Sequence, residues 1–452
     1  MDHSIDVPKR VSYIIERLIG AGYSAYAVGG CVRDSIIGKV PSDWDICTSA
    51  LPQQTLEVLG KPNLVENGMK HGTVTVRYDD ENYEITTFRS DGVYDDNRHP
   101  RQVSFVSDLR EDLARRDLTI NALAYNQRDG LVDLFGGAED IEKGIIRCVG
   151  NPDERFSEDG LRIMRTLRFA SVLGFDIDEE TALSVHKNAH LLKNISAERI
   201  ASEFNKLLMG KNAERVLSEY YDVIAVFIPE LLPMVGFEQK TPHHVYDVWE
   251  HTVKVISFSP EDRILRLTAF FHDIGKPECF TVSPDGTGHF HGHPDVSERI
   301  AADVLRRLKY DNKTINTVCL LVRLHDKRPP AEPKYVRRFL SELGEELFPE
   351  LLKLKRADAM GQSEFRRKEK LEYISELRRL YDEELEKGSA YSLGMLRING
   401  RDIMSLGVRD GRQVGMILRK MLDFVIDGEL ENDRERLLAC AKELALSDNA
   451  GI

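Results

Sequence analysis

The sequence predicts an α+β protein, with a mixed sheet and helices in an N-terminal head and an all-α remainder. Three observations carry this prediction. Short apolar, strand-like runs occur within the first 150 residues, and helical periodicity dominates afterwards. The third observation is the length of 452 residues, which is too long for one hydrophobic core and predicts two to four domains.

Composition narrows the class of protein. Hydrophobic residues make up 42% of the chain and charged residues 30%, which is typical of a soluble globular protein. There is no run of 18 apolar residues and no apolar segment in the N-terminal MDHSIDVPKR, so we expect neither a membrane span nor a signal peptide. Six scattered cysteines without a C-x-x-C spacing predict reduced thiols and a cytoplasmic location. The net charge of -13 argues against a surface coated in nucleic acid but permits a local basic groove.

Apolar periodicity and turn residues locate the elements of the head. Residues 8–20 predict an amphipathic helix, which Gly20 and Gly22 end. The following predicted elements are a strand at 25–28, a helix at 32–37, a helical segment at 51–59, and strands at 72–77 and 83–88. Turn residues 79–82 predict that the last two strands form a hairpin. The polar segment 91–108 contains glycine and proline and is predicted to be a loop.

The stretch from Tyr26 to Ser49 holds the first candidate site. After the apolar strand, Gly29 and Gly30 let backbone N–H groups approach a ligand without a Cβ in the way. Arg33, in the helix that follows, adds a charge that can donate paired hydrogen bonds to phosphate. These features together predict a site for a phosphate-bearing ligand.

An Asp-Trp-Asp triplet lies in the same stretch. If residues 42–46 form a strand, Asp43 and Asp45 share one of its faces. Glu84, in YEITTFR, points to the face opposite Tyr83 and is a candidate third carboxylate, with a solvated strand glutamate as the alternative. Such carboxylates suit Mg²⁺, and a pair of these ions can activate an attacking hydroxyl and stabilise a leaving pyrophosphate.

Residues 156–170, FSEDGLRIMRTLRFA, are the second informative stretch. Four charged residues recur here every three positions, so on a helix they form one ridge. They are Asp159, Arg162, Arg165 and Arg168. Arginines at this spacing repel one another unless an anion lies among them, so the ridge predicts an anion site. A plain charged face is the alternative.

These motifs, together with RRDLTINA at residues 115–122, resemble the family of CCA-adding enzymes and bacterial poly(A) polymerases, the class II tRNA nucleotidyltransferases. The resemblance covers nearly the whole chain. It implies a polymerase-β-like nucleotidyltransferase head, an all-α neck, an HD-domain body and a helical tail. The expected boundaries are 1–150 for the head, 151–225 for the neck, 226–370 for the body and 371–452 for the tail, which is a candidate tRNA contact.

The resemblance also implies roles for individual residues. The catalytic carboxylates would be Asp43, Asp45 and Glu84, with Mg²⁺ bound by the first two. The nucleotide-binding residues would be Gly30, Arg33, Arg116, Asp159, Arg162, Arg165 and Arg168. Among these, the family uses an arginine of its RRDxTINA motif, matching Arg116, to bind the nucleotide. Base recognition falls on Asp159 and Arg162.

An aspartate beside an arginine gives a physical basis for choosing bases. A carboxylate only accepts hydrogen bonds, and a guanidinium only donates them. Cytosine and adenine each offer an amino donor beside a ring acceptor, whereas uracil and guanine present the reversed pattern. The pair would therefore accept CTP and ATP and leave a buried mismatch with UTP or GTP.

Most of the histidines lie between residues 243 and 326. The order His, then His-Asp, then Asp resembles the HD phosphohydrolase domain in its HDIG form. The resemblance implies a transition metal (Mn, Ni or Fe) bound by His251, His272, Asp273 and Asp326. His291 and His293 are candidates for substrate phosphate or a second ion. Metal-bound water could attack a phosphomonoester or cyclic phosphate, although a purely structural module is the alternative.

The implied function is addition or repair of the 3′-terminal CCA of tRNA from CTP and ATP, with release of pyrophosphate. The expected partners are tRNA and the two nucleotides, with neither DNA nor a membrane. One alternative is a poly(A) polymerase or a partial CC-adding or A-adding enzyme. A second is a metal phosphohydrolase whose head only binds RNA, and a third is a non-catalytic RNA-binding module.

Overall fold

The structure is a computed structural model that describes residues 5–60, 64–65, 72–78, 81–91 and 103–449. The chain separates into two compact units. Unit 1 comprises residues 1–232 and 306–310, and unit 2 comprises residues 233–305 and 311–452. The predicted turn residues 79 and 80, and most of the predicted loop 91–108, lie outside the described residues. The four-part division predicted from the sequence is finer than these units and stays a prediction.

Strands are concentrated in the first part of the chain. They are β1 (Ala25–Val28), β2 (Ile46–Thr48), β3 (Leu64–Val65), β4 (Thr73–Tyr78), β5 (Glu81–Thr87), β6 (Arg89–Asp91), β7 (Val103–Phe105), β8 (Leu123–Asn126), β9 (Gly130–Asp133), β10 (Ile145–Ile146), β11 (Asp176–Ile177), β12 (Thr281–Val282) and β13 (Gly288–His289).

Helices occur throughout and dominate after residue 150. In unit 1 they are α1 (Lys9–Gly20), α2 (Gly30–Ile36), α3 (Pro52–Leu59), α4 (Leu109–Ala114), α5 (Gly137–Lys143), α6 (Pro152–Glu158), α7 (Leu161–Leu173), α8 (Glu179–Asn188), α9 (Ala197–Leu208), α10 (Ala213–Glu219) and α11 (Tyr221–Ala225). After them come α12 (Val248–Phe258), α13 (Arg263–Phe271), α14 (His293–Arg307), α15 (Asn312–Leu324), α16 (Pro333–Gly361), α17 (Arg367–Glu386), α18 (Gly400–Ser405), α19 (Gly411–Asp427) and α20 (Arg434–Asn449).

One mixed sheet organises the head. Within the described residues it has seven strands in the order β3-β4-β5-β2-β1-β8-β9. Its neighbouring strands are antiparallel except β2 and β5, which run parallel with Ile46 beside Ile85. The pairing of β4 with β5 confirms the predicted hairpin. The mixed sheet followed by helices confirms the predicted α+β class.

The first helix shows how the apolar pattern sets the packing. Val11, Ile14, Ile15 and Leu18 are buried, and their spacing puts them on one face of α1. The helix starts directly after Pro8, which cannot donate a backbone hydrogen bond. The buried face contacts β1 and α3, so the amphipathic helix predicted at residues 8–20 covers the sheet.

The Asp-Trp-Asp triplet is not part of a strand, contrary to the prediction for residues 42–46. Strand β2 begins only at Ile46. The ladder nevertheless extends one residue back, because the backbone N–H of Val28 donates to the carbonyl oxygen of Asp45 at 3.0 Å. Asp45 is thus fixed at the end of the strand, and Asp43 lies in the segment that leads into it.

Unit 2 is almost entirely helical. One apolar core joins α15, α16 and α17, and its fully buried residues include Leu321, Phe348 and Leu377. A separate core gathers α18, α19 and α20 around Ile403, Met421 and Leu437. Among the described residues, no helix has the length and apolar character needed to cross a bilayer.

Candidate functional site

Three carboxylates meet where β2 and β5 run side by side. The register puts Ile46 next to Ile85, so the residues just before them, Asp45 and Glu84, are also neighbours. Desolvation, then repulsion from Asp43 and more weakly from Glu84, raises the pKa of Asp45, whereas Arg116 lowers it. The predicted carboxylates therefore share one electrostatic environment. Hard oxygen donors that repel one another fit a divalent cation such as Mg²⁺.

The Gly-Gly turn lies against two arginines. Gly29 has a φ of +82°, and a Cβ built on it would lie 3.0 Å from Nη1 of Arg116. A Cβ on Gly30 would lie 3.6 Å from Nη2 of Arg33. Because the glycines leave this space open, two guanidinium groups and the turn border one spot beside the carboxylates. The arrangement can attract the phosphates of a nucleotide.

Side chains that the sequence did not single out hold Arg33. Arg33 is buried and donates from Nη1 to Oδ1 of Asn121 at 2.5 Å and from Nε to Oδ1 of Asp34 at 2.9 Å. Asn121 in turn donates to Asp117 at 3.2 Å. Both Asn121 and Asp117 belong to the RRDLTINA stretch, so the motif itself was the signal that could have identified them.

Residues 156–170 do not form one continuous helix, contrary to the prediction. Helix α6 ends at Glu158 and α7 starts at Leu161, with Asp159 in an extended conformation between them. Oδ1 of Asp159 accepts a hydrogen bond from the backbone N–H of Leu161 at 3.0 Å. Its Oδ2 accepts one from Nη2 of Arg199, on α9, at 2.8 Å. At this break, hydrogen bonds from Leu161 of α7 and Arg199 of α9 hold the Asp159 carboxylate.

Each predicted ridge arginine is paired with a carboxylate of the protein. Nη1 of Arg162 lies 2.5 Å from Oε2 of Glu158, Nε of Arg165 lies 2.6 Å from Oδ2 of Asp117, and Nε of Arg168 lies 3.0 Å from Oε2 of Glu203. These pairs correct the expectation that an anion from outside must lie among the arginines. The protein supplies the counter-charges itself.

The apolar side chains of α7 are buried, and one of them also contacts the arginines. Leu161, Met164 and Leu167 lie in the core. Phe169 is also buried, but the guanidinium groups of Arg168, Arg33 and Arg165 surround its ring at 3.9, 4.9 and 5.6 Å from the centroid.

The guanidinium groups around Phe169 also repel one another, although each is paired with a carboxylate. Burial, together with repulsion from Arg165 and Arg33, lowers the pKa of Arg168 to about 10, although Glu203 opposes the shift. An anion placed here would relieve that repulsion.

Unit 2 holds a second cluster of polar groups inside its helices. His251 lies on α12, and His272 and Asp273 follow the last turn of α13. Oδ2 of Asp273 lies 3.3 Å from Nε2 of His251 and 3.1 Å from Nε2 of His272. All three side chains are almost fully buried, at 0–2% exposure. Imidazole and carboxylate groups that converge in this way can hold a transition-metal ion.

The cluster is larger than the sequence predicted. His293, at the start of α14, and His325, just after α15, lie 3.3 and 3.5 Å from Oδ1 of Asp273. Asp358, on α16, lies 3.1 Å from Nε2 of His251. His325 and Asp358 were not expected as ligands.

Asp326, an expected ligand of the HD site, is not part of either group of converging ligand atoms among the described residues. Its side chain is 44% exposed and lies 3.4 Å from Nη2 of Arg328. Its place among the ligands stays a prediction.

Two cavities reach this cluster. One, of about 410 Å³, is lined by Asp273, His293 and Asp326 together with His289 and His291. The other, of about 550 Å³, is lined by His325 and Asp358, by the cations Arg328, Arg366 and Lys370, and by the apolar groups Pro329, Tyr373 and Ile374. Cationic and apolar walls beside a cluster of imidazoles and carboxylates suit an organic phosphate.

Comparison with protein-family models matches three segments of the chain. The Poly A polymerase head domain matches residues 25–147. The RNA- and SrmB-binding site of polymerase A matches residues 174–233, and tRNA nucleotidyltransferase domain 2 matches residues 292–441. The carboxylates, the Gly-Gly turn and RRDLTINA all lie within the first segment, which confirms the prediction of a nucleotidyltransferase head.

A curated relative covers nearly the full length. The CCA-adding enzyme of Ligilactobacillus salivarius is 34% identical over 441 residues, covering 96% of this chain and 96% of the relative.

Two solved structures share the fold. The crystal structure of Bacillus stearothermophilus CCA-adding enzyme in complex with CTP has a TM-score of 0.70 and 30% identity, covering 97% of this chain and 98% of that one. Thermotoga maritima CCA-adding enzyme complexed with tRNA-CCA has a TM-score of 0.59 at 21% identity, covering 96% and 95%, and shows the fold alone.

Proposed function

The chain belongs to the family of CCA-adding enzymes, and on this premise we propose that its head site builds the 3′-terminal CCA of tRNA from CTP and ATP. One observation supports the assignment of this activity to particular residues. Asp43, Asp45 and Glu84 lie close together beside the Gly-Gly turn. The substrates are tRNA and the two nucleotides, and pyrophosphate is released.

Enzymes of this family use a divalent metal, and we propose Mg²⁺ bound by Asp43 and Asp45. Bound there, it would supply the charge that activates the tRNA 3′-hydroxyl and stabilises the leaving pyrophosphate. Glu84 adds a third negative charge to the same spot, which strengthens the attraction for a cation. Arg33, Arg116 and the open space at Gly29 and Gly30 hold the triphosphate.

Asp159 and Arg162 then select the base. The carboxylate accepts from the amino group of cytosine or adenine, and the guanidinium donates to the adjacent ring acceptor. Arg165 and Arg168 support this pair through their own ion pairs with Asp117 and Glu203. A protein site of this kind can replace a nucleic-acid template because it holds the same hydrogen-bonding pattern.

The alternatives are not favoured. A poly(A) polymerase or a partial CC-adding or A-adding enzyme would use the same motifs, but the full-length relatives are CCA-adding enzymes. A phosphohydrolase or a non-catalytic module with an RNA-binding head would not need the three carboxylates around one cation site.

The direct experiment is an addition assay on tRNA that ends at the discriminator base. The purified protein is incubated with CTP, with ATP and with both, and the product ends are sequenced. We expect complete CCA ends when both nucleotides are present, and no addition by the double variant Asp43→Ala, Asp45→Ala. Nucleotide addition by this variant would show that Asp43 and Asp45 are not catalytic. Long A tails would identify the protein as a poly(A) polymerase instead.

A second activity is favoured by the buried cluster in unit 2. We propose that it binds a transition metal (Mn, Ni or Fe) and hydrolyses a phosphomonoester or cyclic phosphate, because a cavity with cationic and apolar walls lies beside it. Hydrolysis of p-nitrophenyl phosphate and of 2′,3′-cyclic nucleotides with each metal tests the proposal. Activity in the parent protein that His272→Asn removes would support it, and no turnover with any metal would oppose it.

Two further expectations complete the proposal. We propose that the head, neck, body and tail divide at residues 150, 225 and 370 and that the tail touches tRNA. We also propose a cytoplasmic location, which the state of the cysteines supports, since all six are free thiols.

A further inference from the structure

The ring of Phe169, on α7, lies among three guanidinium groups. The Cζ atoms of Arg168, Arg33 and Arg165 lie 3.9, 4.9 and 5.6 Å from its centroid. All three distances fall within the range of about 6 Å over which the face of an aromatic ring attracts a cation. Phe169 is only 8% exposed, so water screens this attraction weakly.

The three cations do not need the ring for charge balance, because each has a carboxylate partner. The pairs are Arg33 with Asp34, Arg165 with Asp117 and Arg168 with Glu203, at 2.8, 2.6 and 3.0 Å. Burial lowers the pKa of Arg168 to about 10, which still leaves its guanidinium charged at neutral pH. The contribution of the ring is therefore to where these groups lie, and not to their neutralisation.

Arg33 is the member of this set that comes from another element. It lies on α2, whereas Arg165 and Arg168 belong to α7 together with Phe169. A Cβ on Gly30 would lie 3.6 Å from Nη2 of Arg33, so the same guanidinium also borders the Gly-Gly turn. The contact between Phe169 and Arg33 thus joins α7 to the proposed triphosphate site.

An aromatic ring can hold an arginine without using its hydrogen-bond donors. A guanidinium group has five N–H donors. Nη1 of Arg33 donates to Asn121 at 2.5 Å, and Nε donates to Asp34 at 2.9 Å. A second carboxylate would take further donors and cancel more of the charge, whereas a ring does neither. The remaining donors and the positive charge therefore stay available to a phosphate at the turn.

We propose that Phe169 is a positioning residue for the triphosphate, and that its ring holds the guanidinium of Arg33 beside the Gly-Gly turn. The proposal rests on the proposed function, in which Arg33 holds the triphosphate of CTP and ATP. Phe169 acts through Arg33. Because the triphosphate is common to both nucleotides, weakening this contact should affect CTP and ATP by the same factor.

The test changes the electrons of the ring and hardly changes its shape. Phenylalanines with one, two or three ring fluorines are incorporated at position 169 of the full-length protein. Fluorine withdraws electron density from the faces of the ring, so each added atom weakens the attraction for a cation. We expect the KM for CTP and for ATP, and the Kd of CTP measured by calorimetry, to rise stepwise by about fivefold in all. The kcat should change by less than about twofold.

A double-mutant cycle tests whether the ring acts through Arg33. Phe169→Leu is expected to raise the Kd of CTP by about fivefold, and to have no further effect when Arg33→Gln has already removed the cation. Thermal unfolding verifies that each variant is folded, and the trifluorinated ring replaces Phe169→Leu in the cycle if that variant does not fold. The control is the same fluorinated series at Phe156, a fully buried residue of α6, which should leave KM and Kd unchanged.

The outcomes separate this proposal from the one it rests on. A parent protein that adds CCA, with KM and Kd unchanged by fluorination at position 169, would overturn the role of the ring and keep the proposed function. Equal effects of Phe169→Leu with and without Arg33→Gln would also overturn it, because the ring would then act through packing alone. A parent that binds CTP with the stepwise dependence but adds no CCA would support the ring and oppose the proposed function, and a parent that binds no CTP would overturn both.

Discussion

The two carboxylate oxygens of Asp159 accept hydrogen bonds from two different residues. One oxygen accepts from the backbone N–H of Leu161 and starts α7, and the other accepts from Arg199. In the proposed role of Asp159, a carboxylate that reads a base must be held in one orientation, because a mobile carboxylate could instead accept from the ring N–H of uracil or guanine. On that proposal, we expect Arg199 to act as a positioning residue for base selection. It also has a buried Nη1 without a hydrogen-bond partner among the described residues.

Replacing Arg199 tests this at the level of one residue. Arg199→Ala removes a hydrogen bond between charged groups, so we expect misincorporation of UTP and GTP to rise by about tenfold while CTP and ATP are still added. Single-nucleotide incorporation assays measure the ratio. Glu198→Ala is the control, since it removes an exposed charge from the first turn of the same helix. Unchanged nucleotide choice in Arg199→Ala would mean that Leu161 alone positions Asp159.

Asp117 is a second residue whose charge state matters. Although burial opposes ionisation, the charge of Arg165 and its hydrogen bonds hold the pKa of Asp117 well below its ordinary value. A carboxyl with a lowered pKa in the folded state adds stability above its unfolded value, about pH 3.9, and loses it as the pH falls through the folded value. The pair therefore contributes fully at neutral pH.

Asp117→Asn is expected to lower the free energy of unfolding at pH 7 by about 2 kcal/mol. Breaking a fully buried pair costs about 3–5 kcal/mol, but Arg165 is 35% exposed and solvent screens part of the effect. The difference between variant and parent should shrink below about pH 4, as measured by urea unfolding. Lys187→Ala, at an exposed pair with Asp153, should cost less than about 1 kcal/mol at either pH.

Local elements were largely predictable, because their signals lie within a few residues. The strand predicted at residues 25–28 is β1, and the helix predicted at 8–20 is α1. The start of β2 was predicted too early, since Asp43 and Asp45 alternate with apolar residues as a strand would. The break at Asp159 and Gly160 was missed because the three-residue charge pattern continues through it. The periodicity of a sequence shows which residues share one face of a helix, but it does not show whether the helix is continuous.

The Gly-Gly turn gives a test at the level of an element. Gly29→Ala would introduce a Cβ 3.0 Å from Nη1 of Arg116 at a φ of +82°. Gly22→Ala is a matched control, because Gly22 has a φ of +92° and nothing within 4 Å of the added Cβ. Both should lower stability by about 1 kcal/mol through backbone strain. Only Gly29→Ala should also reduce kcat for CMP addition, by about tenfold or more, because it moves Arg116. Equal kinetics in both variants would contradict this role of the turn.

At the level of the whole molecule, each compact unit contains its own candidate site. The sequence predicted both, because each has a short motif. It did not predict which distant residues complete them. Arg165 pairs with Asp117, 48 positions away, and Asp358 meets His251 from the far end of α16. Such partners are brought together only by the packing of helices, and a charged stretch such as the one around Asp358 is otherwise typical of a solvated helix.

The two proposed activities should therefore be separable. Asp45→Ala is expected to abolish CCA addition and to leave phosphate-ester hydrolysis unchanged, and His251→Asn is expected to do the reverse. Both assays are run on the same preparations of folded protein. Loss of both activities in either variant would mean that the two sites depend on each other.

The position of β1 in the middle of the sheet also has a consequence for synthesis. One of its neighbours, β8, begins only at Leu123, and the other, β2, gains its own parallel partner only with β5. At a synthesis rate of about 5–20 residues per second, β1 is synthesised about 5–20 s before β8. During that interval an apolar strand has an unpaired edge that other chains can join. The sheet on this side of β1 is complete only when β8 and β9 have emerged, so we expect nascent chains that stop before residue 123 to need a chaperone to stay in solution.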